Sequence, residues 1–112
     1  MLELVVSSAF KTEVKKIKNA KDKAELKLVL DTLLAENVLA PKYKDHTLSG
    51  NYKNYRECHI KPDLLLIYKI EESELILYAV HIGSHSDLFK KWRKHQSLFF
   101  GPIRIDLFFT IN

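Results

Sequence analysis

A single cysteine, Cys58, stands in the 112 residues, so an internal disulfide is excluded and nothing else points to an oxidising compartment. No apolar run approaches the roughly 18 residues of a membrane span, and the N-terminus lacks a signal peptide's basic and apolar regions. The expectation is a soluble cytoplasmic protein with no membrane partner. Neither G-x-x-x-x-G-K-[ST] nor G-x-G-x-x-G occurs, so no nucleotide cofactor is expected. H-E-x-x-H and paired C-x-x-C are absent too; His59, Asp63 and His85 could offer three ligands, but no metal is expected. The scattered serines and the one thiol give no nucleophile with a placed base. There is no internal repeat.

What is present suits one small domain. With 46% hydrophobic residues, a chain of this length buries roughly two-thirds of its unfolded surface without staples. The net charge of +4 is unevenly distributed: residues 1–89 balance, and residues 90–112, with five basic residues against Asp106, carry the whole excess. The body still has locally basic stretches, with seven lysines between Lys11 and Lys27 and a second group from Lys42 to Lys61. Such local fields steer anions better than a total charge does.

Leu2, Leu4 and Val6 mark a short first strand. Ser7 or Ser8 offers a cap to a helix whose apolar stripe is Phe10, Val14 and Ile17. Asp22 with Glu25 resembles a capping box, and Leu26, Val29, Leu30, Leu33 and Leu34 form the second helix's apolar face. Residues 41–54 read as loop. Strands follow from Tyr55, over Leu64 to Ile70, and over Leu75 to Ile82, with turns at Lys61–Asp63 and Glu71–Glu74. The second of these is apolar on both faces, as a covered central strand should be. The order β-α-α-β-β-β predicts an α+β fold in two layers, a helical hairpin on a mostly antiparallel four-stranded sheet, with the other sheet face open for function.

The chemistry concentrates between Asp45 and Tyr68. RNA carries an internal nucleophile, the ribose 2′-OH, and its cleavage needs a base, an acid and positive charge at the phosphate. Histidine, with a reference pKa of about 6.5, suits both proton steps. His46, His59 and His85 are candidates, and Arg56, Lys44 and Lys61 are candidate phosphate contacts. A tight turn brings Asp63 toward His59, and the third long strand returns His85 to the same rim. Each residue also has an ordinary structural use. Asp63 after Pro62 suits a turn, Tyr52, Tyr55 and Tyr68 suit packing, Cys58 is a small buried apolar residue, and His81 interrupts an apolar strand.

The segments Y-K-D-H-T-L-S-G (Tyr43–Gly50), Y-R-E-C-H-I-K-P-D-L-L-L-I-Y (Tyr55–Tyr68) and G-S-H-S-D-L-F (Gly83–Phe89) resemble the YafQ-like branch of the RelE/ParE toxin superfamily. The resemblance covers about residues 1–89 and implies the RelE-like fold and the toxin of a type II toxin–antitoxin pair. It further implies a metal-independent endoribonuclease cutting mRNA, commonly on the ribosome, and a cognate antitoxin as partner. Its functional positions fall on His46, His59, Asp63, His85 and Phe89, with Phe89 expected to stack on a base. Some relatives have tryptophan after the aspartate where this chain has Leu64. A gyrase-inhibiting toxin or a non-catalytic RNA- or antitoxin-binding member are the alternatives; the histidine set counts against the first. Residues 90–112 depart from the family as a basic, then apolar, extension, in which Ile103, Ile105 and Leu107 alternate as an edge strand would.

Overall fold

In the computed structural model, which describes residues 1–88 and the backbone of 100–102, β1 (Glu3–Ser7) runs directly into α1 (Ser8–Val14). The switch is set by Ser7, whose extended backbone ends the strand while its Oγ accepts the Phe10 N–H at 2.9 Å. The second helix, α2 (Ala20–Leu34), starts earlier than the expected capping box. Asn19 caps it through Oδ1, which accepts from the Lys21 and Asp22 N–H groups. Asp22 thereby falls in the first turn, where it bonds Lys61, and Glu25 reaches Tyr43 and Lys42.

Residues 41–54 are less irregular than expected. They contain a short helical turn at Pro41–Tyr43, the two-residue β2 (His46–Thr47) and another turn at Gly50–Tyr52. Then come β3 (Arg56–Lys61), β4 (Leu64–Glu71), β5 (Ile76–Gly83) and, beyond an interval outside the described residues, β6 (Phe100–Pro102). The sheet order is β2-β3-β4-β5-β1-β6. Neighbours are antiparallel except β1 and β5, which are parallel: α1 and α2 carry the chain from β1 to the far edge of the sheet, and the antiparallel run β3–β4–β5 brings it back beside β1. The α+β two-layer architecture is as expected, but the described residues form six strands where four were expected. β2 and β6 are too short to show in residue periodicity. The strand in the extension lies at Phe100–Pro102, ahead of the expected alternation, and Ile103, Ile105, Leu107 and the basic segment 90–95 fall outside the described residues.

The larger core lies between helices and sheet, where Phe10, Leu26 and Leu30 cover Val6, Cys58, Leu66, Tyr68 and Leu77. Fully burying each such leucine contributes about 1.5–3 kcal/mol. The opposite sheet face is not bare as anticipated. Leu65, Ile67, Val80 and Leu88 form a second buried cluster, against which Leu48, Tyr52, Tyr55 and Tyr78 pack. The loop before β3 and the turn after β5 supply this cover.

Register fixes the rest. The β4–β5 pairing steps from Ile67↔His81 to Tyr68↔Ala79, leaving Val80 as the extra residue of a bulge. Glu13 of α1 reaches into this bulge. Its carboxylate accepts from the Ile82 N–H at 3.1 Å and faces Nδ1 of buried His81 at 3.1 and 3.2 Å. That is the structural use expected of His81.

Candidate active site

Strand parity sorts the functional residues. Cys58 and Ile60 point into the helix-side core, so Glu57 and His59 belong to the other face of β3, beside the Leu65 and Ile67 positions with which they pair. His46 stands opposite Glu57 across the β2–β3 ladder. The three side chains meet there. Glu57 Oε1 lies 3.5 Å from His46 Nε2 and 3.6 Å from His59 Nε2, and the two imidazole centroids are 6.4 Å apart. Exposure is graded, with the His46 side chain 49% exposed, His59 25% and Glu57 only 6%. A carboxylate shielded from water thus has two imidazoles between itself and solvent, an arrangement able to hold a proton that either ring accepts.

His46 has its other nitrogen fixed as well, since Nδ1 donates to the Lys44 carbonyl at 2.7 Å. Nε2 is therefore the nitrogen turned toward Glu57. Lys44 holds a left-handed conformation with φ 50° that turns its carbonyl back toward the ring.

His85 reaches the same rim by another route. His59 pairs with Leu65 and Leu65 with Gly83, so the three form one row across the sheet. At about 4.8 Å per strand, the His59 and Gly83 backbones are roughly 10 Å apart. Ser84 then caps a helical turn, its Oγ accepting the Asp87 N–H and its carbonyl the Leu88 N–H. His85 is the first residue of that turn and is exposed. Gly83 permits it, because a Cβ there would lie 3.2 Å from Leu88 Cδ2, and Leu88 packs over the second core.

The remaining candidates divide. Lys44, His59, Lys61 and Pro62, with Tyr43 and Ile60, line a groove of about 400 Å³. Exposed Asp63 instead borders a neighbouring cavity of about 350 Å³ with Gly83, Asp87 and Lys61. It stands on the same rim, between the β3 and β5 ends, without a bond to an imidazole among the contacts described. Lys61 belongs to both cavities and is salt-bridged to Asp22 at 2.7 Å. Phe89 falls outside the described residues.

Arg56 is not brought to the histidines. Its Nε and Nη2 donate to Asp45 at 3.3 and 3.0 Å, and its Nη1 to Thr47 Oγ1 at 2.7 Å. The Tyr68 hydroxyl donates to the same Asp45 carboxylate. This bonding to Asp45 raises the arginine's pKa further, and burial followed by the Asp45 bond raises that of Tyr68. Buried Cys58 beside them has its thiol pushed up to about 12, chiefly by loss of water. Among the described residues, no three His, Cys, Asp or Glu side chains gather closely enough to hold a metal ion, and no helix is long and apolar enough to cross a membrane.

Sequence reasoning missed Glu57 as a member of the site. The signal was there: its spacing of two from His59 puts both on one strand face.

Known proteins resemble this chain over most of its length. Residues 2–90 match the family model described as the bacterial toxin of a type II toxin–antitoxin system, YafQ. The mRNA interferase toxin YafQ of Escherichia coli strain B/BL21-DE3 is 35% identical over 89 residues, covering 78% of this chain and 95% of its own. A metal-bound toxin from Helicobacter pylori superposes with a TM-score of 0.73 at 49% identity, over 80% of this chain and all (100%) of its own. YafQ in the E. coli DinJ–YafQ complex gives 0.69 at 32% identity, over 80% and 99%. The chain belongs to the YafQ family of toxins of bacterial type II toxin–antitoxin systems.

Proposed function

We propose that this chain is a cytoplasmic endoribonuclease toxin of the RelE/ParE superfamily that cuts mRNA on the translating ribosome and is restrained by a cognate antitoxin protein. The observation that carries the reading is Glu57 Oε1 set between the Nε2 atoms of His46 and His59, on the rim to which the β5 end returns His85. The E. coli relative is an mRNA interferase toxin, and YafQ occurs with DinJ in a toxin–antitoxin complex.

The reaction is attack of the ribose 2′-OH on the adjacent phosphate, leaving a 2′,3′-cyclic phosphate and a free 5′-OH. Because the nucleophile is supplied by the substrate, the protein has to move two protons and balance phosphate charge, with no metal required. His85, an exposed imidazole, is the principal proton-transfer group. His46 or His59 is its partner, and Glu57 balances the imidazolium that forms. Asp63, on the rim between them, adds negative charge that stabilises the imidazolium formed in the reaction. Lys44 and Lys61, bordering the groove beside His59, face the phosphate whose charge grows in the transition state. Phe89 stacks on a base, an interaction of about 1–3 kcal/mol. The test is to incubate the purified protein with translating ribosomes and, separately, with naked RNA, and to map cut positions and end chemistry. Cuts restricted to the ribosome support the whole reading; cuts in both substrates remove ribosome dependence; cuts in neither overturn it.

A further inference from the structure

The arginine that sequence reasoning assigns to the phosphate is occupied with something else. β2 is two residues long, lies at the sheet edge, is exposed, and pairs with β3 only through His46↔Glu57 and Thr47↔Arg56. So short a ladder does not by itself fix a side chain to the fraction of an ångström that proton transfer needs. Both neighbours of His46 are nevertheless tied to a single guanidinium, Asp45 through Nε and Nη2 and Thr47 through Nη1. The Asp45 carboxylate in turn accepts the hydroxyl of Tyr68, which is buried in the helix-side core at the β4 position paired with Arg56. The edge strand is thus pinned through charge-assisted bonds to the centre of the sheet.

We infer that Arg56, Asp45 and Tyr68 are positioning residues for His46. They hold the Lys44–Thr47 backbone so that the Lys44 carbonyl takes the Nδ1 proton and Nε2 is presented to Glu57 and the substrate. The inference deepens the ribonuclease reading and rests on it for the consequence in rate, although the ring's tautomer can be read without any reaction.

The experiment compares Asp45→Asn, Tyr68→Phe and Arg56→Lys in the full chain, each checked for folding by thermal melt. Two readouts are taken: histidine ¹⁵N chemical shifts, which report which nitrogen carries the proton, and kcat and KM on a short RNA or on ribosomes. In the wild type the His46 ring is fixed with its proton on Nδ1. In folded Asp45→Asn and Arg56→Lys it becomes a mixture of tautomers, with kcat lowered about 10- to 100-fold and KM within about twofold. Tyr68→Phe shows the same change to a smaller degree. If Asp45→Asn does not fold, the milder Tyr68→Phe and Arg56→Lys carry the test. A folded Arg56→Lys with raised KM, unchanged kcat and an unchanged His46 signature assigns the guanidinium to the phosphate and overturns the inference. A wild-type protein that cleaves nothing but shows a fixed ring that the variants release defeats the ribonuclease reading while leaving the positioning role standing.

Discussion

Glu57 keeps a carboxylate where water scarcely reaches, and a buried charge is tolerated only with partners close by. Its partners are the two imidazoles at 3.5 and 3.6 Å, which is why the proposed reaction uses it. Glu57→Gln keeps the shape and removes the charge; RNA cleavage is expected to fall about 10²-fold while the thermal melt stays near wild type. A folded variant with full activity would show that the charge takes no part. Cys58, one position along, faces the opposite way. With its thiol raised from 9.0 to about 12 by burial, it stays protonated in the native protein and is inert to a disulfide reagent at pH 8, reacting only after denaturant is added. The sign of the linkage follows. The thiol's contribution to stability is fully present below its unfolded value and is lost between about pH 9 and 12 as the unfolded chain ionises first.

Among the elements, β5 and α1 are joined by a buried polar contact. Glu13 and His81 are both buried, and the Ile82 N–H at the bulge has the Glu13 carboxylate as its acceptor. Glu13→Ala takes the carboxylate away from the imidazole and the amide together. The expected loss is about 3–5 kcal/mol, read as a lower urea midpoint in equilibrium unfolding; a shift under about 1 kcal/mol would mean that water replaces the carboxylate. The elements were unequally legible. The apolar face of α2 and the doubly buried β4 could be read because period 3.6 and continuous apolarity survive in sequence. The cap at Asn19 could not, since Asp22 and Glu25 imitate a capping box while satisfying tertiary partners instead. β2 was invisible for a simpler reason. Two polar residues carry no period, and the bonds that hold His46–Thr47 come from β3 and β4.

At the scale of the molecule, the sheet brings together residues that the chain keeps far apart. His46 and His59 are drawn to one carboxylate by cross-strand pairing, and the row His59–Leu65–Gly83 delivers the segment carrying His85. The histidines could be nominated from residue chemistry and from resemblance. The face of His59 followed from strand parity, whereas the place of His46 beside it and the bonding of Arg56 to Asp45 needed coordinates, because residues 45 and 46 meet β3 only through the fold. The cover over Leu65 and Ile67 likewise comes from Leu48, Tyr52 and Leu88, which no local pattern connects. The central claim is that imidazoles at this rim transfer protons during attack by the 2′-OH. It is tested most directly by analysing the 3′ ends of RNA cut by the wild type and by His85→Ala on translating ribosomes. The account predicts 2′,3′-cyclic phosphate ends from the wild type and a rate about 10²- to 10⁴-fold lower from a folded His85→Ala. Wild-type products ending in a 3′-OH, or undiminished cutting by the folded variant, would contradict it.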